Sequence, residues 1–157
     1  MVSIPFPNNG SNSNNNFKKN NNNEVSGLVP PQNIQAEESV LGGILLDPDA
    51  IGRIADLLRP EAFYINAHKE IYKTAITLHS QGKPTDLTSM SAWLADNGSL
   101  ELIGGNNKLV ELVENVSSTA SIEQVASLIS DKFLRRQLIR SGNEVVQLGF
   151  DQAQSTD

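Results

Sequence analysis

An all-α fold is what this sequence predicts: a small globular helical bundle, followed by a long helix. Three observations predict it. From Leu28 onward the apolar residues recur at helical spacing, and no segment sustains period-two alternation. Proline and glycine stand between the apolar runs and divide them into helix-sized pieces. One stretch, from about Thr119 to Leu148, has no proline and only Gly142 as an interior glycine.

Residues 1–27 are read as a tail. SNSNNNFKKNNNNEVSG is rich in asparagine and has almost nothing apolar to bury, so disorder is expected. Residues 28–117 are assigned to the globular bundle. Its first helix has Asn33 as N-cap, Glu37 and Glu38 near the positive end of the dipole, and Ile34, Val40, Leu41, Ile44 and Leu45 on its apolar stripe. Gly42 and Gly43 lie inside it, where each costs about 1 kcal/mol against alanine. They are expected to let another helix approach closely, so Gly43→Leu should destabilise by over ~2 kcal/mol through overpacking.

The second helix is expected to open with Asp47 as N-cap and Pro48 at its first position, to bury Ile51, Ile54, Leu57 and Leu58, and to stop at Pro60. Asn66 is expected to cap a third helix carrying Ile71, Tyr72, Ala75, Ile76 and Leu78, ended by Gly82 and Pro84. A fourth runs from about Leu87 to Asn97 with Leu87, Met90, Trp93 and Leu94 inward. Gly104 and Gly105 turn the chain into a short fifth helix that buries Leu109, Leu112 and Val113.

Residues 118–157 are assigned to the long helix and the start of a truncated second arm. Thirty residues make a rod of roughly 45 Å, against a diameter of about 35 Å for a compact body of this size. The helix should outrun its own domain. Its apolar stripe also shifts: Ile122, Val125, Ala126, Ile129 and Phe133 form one face, while Leu134, Leu138, Val145 and Leu148 form another. Two faces at different heights call for two partners; the other reading is one broad face that drifts.

Composition narrows the function. With no cysteine and two histidines among 157 residues, neither a disulfide framework nor a cysteine-ligated metal is available. His68 and His79 are three helical turns apart and cannot share a metal. There is no apolar run long enough to span a membrane, and MVSIPFPNNG lacks the regions of a secretory signal, so a cytoplasmic protein is expected. Lys18, Lys19 and Glu24 leave the first 27 residues at +1, so residues 28–157 carry −7 of the total −6. An acidic body disfavours nucleic-acid binding, which depends on phosphate neutralisation. GGNNKLV has the wrong spacing for a phosphate-binding loop, and Ser39, Ser89 and Ser117 have no elbow motif around them. The carboxylates read as a solvated face. No catalytic, cofactor or metal residues are predicted.

One cluster remains. Lys132, Arg135, Arg136 and Arg140 lie on the long helix, with 132, 136 and 140 at i, i+4 and i+8. They read either as a solvated face with ion pairs such as Asp131 to Arg135, or as a docking strip for an acidic partner surface or nucleic acid. In the second case the chain would be a small helical nucleic-acid-binding module.

PPQNIQAEESVLGGILLD (30–47), FYINAHKEIY (63–72), GKPTDLTSM (82–90), LIGG (102–105) and SIEQVASLISDKFLRRQLI (121–139) together resemble the N-terminal domain of the bacterial, DnaB-type replicative DNA helicase. The resemblance covers roughly residues 28–150. Lys108 and Val125 depart from the aromatic residues common at those places in the family. The resemblance implies an interaction domain with no catalysis of its own, and six such domains forming the collar of a hexameric ring, commonly as three pairs joined through hairpins. In the family the domain is a globular bundle followed by a helical hairpin, of which this chain would hold the first arm and the start of a truncated second. The collar carries much of the docking surface for primase, and a helicase loader is a further partner the resemblance implies. The parent protein would unwind duplex DNA, meeting it only through the full-length ring, with ATP and magnesium in a motor domain absent here. Phe133, Leu134, Leu138 and Val145 are the candidates for self-association, as dimer or hexamer. Arg135, Arg136 and Arg140 are the candidates for partner docking.

Overall fold

The computed structural model describes residues 27–116 and 120–151. The expected disordered tail, apart from Gly27, lies outside the described residues, as do Thr119 and the stretch past Asp151 assigned to a second arm.

Six α-helices make up the described chain: α1 (Ile34–Leu46), α2 (Ala50–Ile54), α3 (Asn66–Ser80), α4 (Leu87–Asp96), α5 (Gly105–Glu114) and α6 (Ile122–Phe150). Short 3₁₀ turns at Pro60–Ala62 and Glu101–Ile103 join them, and there is no strand among the described residues. The all-α expectation holds.

Helix α1 is the centre of the bundle and packs on every other helix. Its sequence suits that position. Asn33 caps it by accepting from the Ala36 N–H at 3.0 Å. Val40, Leu41, Ile44 and Leu45 are then buried against its neighbours. Gly42 is buried as well, and a Cβ there would lie 2.2 Å from the Leu112 carbonyl oxygen of α5 and 2.3 Å from Cγ2 of Val116. The close approach expected of the glycine pair is therefore made at Gly42. Gly43 departs from the expectation: its Cβ would meet only Cδ1 of Ile122, at 3.4 Å. It lines a shallow groove of about 230 Å³ beside Ser39, Ala50, Arg53 and Ile122, so overpacking is not built in at that position.

Two helix starts also differ from expectation. Asp47 closes α1, and its Oδ1 accepts from the Asp49 N–H at 3.0 Å, so Pro48 and Asp49 form a turn and α2 begins at Ala50. That helix ends early, and Leu57 is exposed rather than buried. Asn66 is the first helical residue of α3, and its N-cap, Ile65, has no side-chain cap.

The stabilising group at that end comes from α1. Glu37 is buried, and its carboxylate accepts from the Tyr64 N–H at 2.6 Å and the Ile65 N–H at 3.4 Å. Its Oε2 also lies 2.8 Å from Nδ1 of His68 in the first turn of α3. A buried carboxylate is tolerable only with such compensation. The reading of the carboxylates as a solvated face fails at Glu37.

Elsewhere the core is apolar with paired polar tips. The Tyr72 hydroxyl donates to the Leu58 carbonyl at 2.8 Å, its ring centroid lies 4.8 Å from that of Phe63, and burial pushes its phenol up from the ordinary range. Thr85 donates to the Ile44 carbonyl at 3.0 Å.

Candidate functional site

The long helix runs from Ile122 to Phe150, close to the expected length. Ser121 and Gln124 start it with a reciprocal capping box, each side chain accepting from the other's backbone N–H at 3.3 Å. Its first half is seated on the body. Val125, Ala126 and Ile129 are buried, and Ile122 and Phe133 are partly buried against the same core. Ser130 donates to the Leu57 carbonyl at 3.1 Å, and Arg53 of α2 pairs with Glu123 at 3.3 Å.

The second half leaves the body. Every residue from Leu138 to Phe150 is exposed. Of the four self-association candidates, Leu134, Leu138 and Val145 are uncovered, with Leu138 64% and Val145 68% exposed. Phe133 is the exception: it is partly buried against the core, so it belongs to the seated half.

A second exposed apolar set was not singled out from the sequence. Leu128, Ile139, Val146 and Phe150 are all exposed, Phe150 at 70%. At roughly 100° per residue they fall in one sector, about 120° from the sector of Leu134, Leu138, Val145 and Leu148. The signal was present as the spacing 139, 146, 150. The projecting half therefore carries two apolar sectors, and one partner helix cannot cover both.

The basic stripe does not survive as a stripe. Arg135 pairs with Asp131 at 2.9 Å and Arg140 with Glu144 at 3.2 Å, both i,i+4 contacts on exposed helix surface. Such pairs contribute about 0.3–0.5 kcal/mol and occupy the charges locally. Arg136 is turned into the body. Its two terminal nitrogens donate to the Pro31 carbonyl at 2.7 Å and the Ala62 carbonyl at 2.5 Å. Its guanidinium carbon lies 5.6 Å from the Tyr64 ring and 5.7 Å from the Phe133 ring. The expectation that Arg136 is a free docking cation is thus corrected, and direct nucleic-acid binding loses the aligned charges it needed. Among the described residues no three His, Asp or Glu side chains are grouped to hold a metal ion, and no helix is long and apolar enough to cross a membrane.

A closed helical bundle whose last helix leaves it with two uncovered apolar sectors defines an all-α domain with exposed apolar surface on its projecting helix. Comparison with known proteins makes the class specific. Residues 29–131 match the family described as DnaB-like helicase N terminal domain. The chain is 57% identical over 126 residues to the replicative DNA helicase DnaB of Nostoc sp. (strain PCC 7120 / SAG 25.82 / UTEX 2576), covering 80% of this chain and 14% of that protein. It is 37% identical over 129 residues to replicative DNA helicase DnaB of Geobacillus stearothermophilus, covering 82% of this chain and 28% of that one. The crystal structure of the N-terminal domain of DnaB helicase from Mycobacterium tuberculosis superposes with a TM-score of 0.75 at 40% identity, over 80% of this chain and 91% of that chain. A DnaB-like replicative helicase, solved in a study of its interactions with primase, superposes with a TM-score of 0.65 at 33% identity, over 73% of this chain and 27% of that chain.

The chain belongs to the family of DnaB-like helicase N-terminal domains, as the five sequence segments indicate. It spans only about a seventh of the length of its Nostoc relative.

Proposed function

We propose that this domain is the collar and interaction module of a hexameric replicative DNA helicase, supporting ring assembly and docking primase. The observation that carries the reading is the projecting half of α6, whose apolar residues no other part of the described chain covers. One apolar sector suits an antiparallel partner helix and the other a second copy of the domain. The related helicase studied for its interactions with primase supports primase as the docking partner. Catalysis would lie outside these residues, in a motor using ATP and magnesium to unwind duplex DNA. DNA would be met only through the full-length ring, in the cytoplasm, with a helicase loader as a further partner.

Sedimentation of the full chain, alone and with the C-terminal domain of the cognate primase, tests this. A self-associating species that also binds primase, and that Leu138→Glu returns to monomer, is the expected result. A strict monomer that ignores primase would overturn the reading.

A further inference from the structure

We propose that Arg136 is the pivot lock of the long helix: by holding two backbone carbonyls from separate segments, it fixes the angle at which the projecting half leaves the body. The geometry is specific to a guanidinium. Pro31 lies in the segment leading into α1, and Ala62 in the 3₁₀ turn before α3. One planar fork reaches both, at 2.7 and 2.5 Å. Aromatic rings of Tyr64 and Phe133 lie within 6 Å of its guanidinium carbon, a distance at which a cation is attracted. No carboxylate pairs with it among the described ion pairs, whereas its neighbours Arg135 and Arg140 are both paired along the helix.

Position gives the contact its consequence. No hydrogen bond or ion pair described beyond Arg136 on α6 reaches the body, and every residue from Leu138 to Phe150 is exposed. The residues past Arg136 form a lever of about 21 Å, so a tilt of about 10° at the pivot moves the tip by roughly 4 Å. That is most of one helical turn, enough to take one copy's apolar sector out of register with its partner. Pro31 also stands close to where the Asn-rich segment joins the domain. One side chain thus couples that junction, the turn before α3 and the direction of the projecting helix. Arg136 is a positioning residue for association, and this consequence rests on the reading of the projecting half as the association surface.

The test measures the angle apart from association. The chain has no native cysteine, so Asp96→Cys in α4 and Gln147→Cys in α6 accept a pair of spin labels in the full chain. Measurements are made in a Leu134→Glu/Leu138→Glu background, at a concentration where sedimentation shows a monomer. With Arg136 present, the distance distribution is expected to be single and narrow. Arg136→Ala is expected at least to double its width, and Arg136→Lys to broaden it nearly as much, since an ammonium lacks the planar fork that sets one nitrogen on each carbonyl. Tyr64→Leu, which keeps both carbonyl contacts, is expected to broaden it less. A merely stabilising role would lower the melting temperature of these variants without widening the distribution. Unchanged width in Arg136→Lys and Arg136→Ala overturns the proposal, and should Arg136→Ala not fold, Arg136→Lys alone decides. Sedimentation of the Leu134→Glu/Leu138→Glu chain without labels reads the other idea separately: persistent self-association there removes the association surface but leaves the pivot standing.

Discussion

The two halves of α6 are made of similar residues and have opposite fates. Up to Phe133 the apolar side chains other than the exposed Leu128 share one face, and α1, α2 and the turn at Pro60–Ala62 cover it. Beyond it, leucines and valines of equal hydrophobicity stand in water. Phe133 and Leu134 are adjacent, yet one packs on the core and the other is 58% exposed. Burial here is decided by what surrounds a position and not by its residue type. An exposed apolar face on a projecting helix is where a contact with a further helix or chain is expected.

The largest expected effect falls on the platform under the seated half. Glu37→Leu leaves two backbone N–H groups and His68 without their shared acceptor. Breaking a buried network of this kind costs about 3–5 kcal/mol. Urea unfolding should show that loss, and a midpoint near that of the unmodified chain would mean the buried carboxylate is readily replaced. Next comes the direct contrast within α6. Ile129→Ala, at a buried position, should cost about 2–4 kcal/mol in chemical denaturation. Leu138→Ala should stay within about 0.5 kcal/mol in the monomer while weakening self-association in sedimentation. Equal losses of monomer stability at the two positions would erase the distinction between the halves.

A third contrast lies inside α1. Gly42→Ala should destabilise by about 2 kcal/mol or more, because the added methyl meets the Leu112 carbonyl and a backbone must move. Gly43→Ala meets only ordinary contact and removes a helix penalty, so it should stabilise by up to about 1 kcal/mol. Thermal unfolding of the two variants should move in opposite directions.

These positions also show what could be read from the sequence. Caps and breaks were legible where a local signal sets them: Asn33 before α1, and Gly82 at positive φ after α3. The length of α6 and the exposure of Leu138 and Val145 were legible because they follow from helical rise and spacing. Glu37 was misread because its place in the first turn already offered a dipole explanation. Yet it shares the stripe of Val40, Leu41 and Ile44, and that should have marked it as buried. Arg136 was not legible at all. Its partners lie 105 and 74 residues away in the chain, and helical spacing aligned it with cations that behave differently.

The smallest expected effect separates local capping from the long helix altogether. Asp86 caps α4 by accepting from the Ser89 N–H at 2.9 Å. Hydrogen bonds from the Ser89 side chain, and then from its backbone, hold the Asp86 carboxyl below the usual carboxylate range. Its folded pKa lies below its unfolded one, so its contribution is complete above the unfolded value and is lost as pH falls through the folded value. Asp86→Ala should cost about 1 kcal/mol near neutral pH, and the deficit should shrink in acid. Asp86→Asn keeps a capping oxygen without the titration, so it should lose only a few tenths of a kcal/mol and show no such pH dependence. Helix α4 packs on α3, α5 and α1, so neither variant should change self-association. If Asp86→Ala weakened association as much as Leu138→Ala, the projecting half would be responding to the stability of the whole bundle, and its independence would be lost.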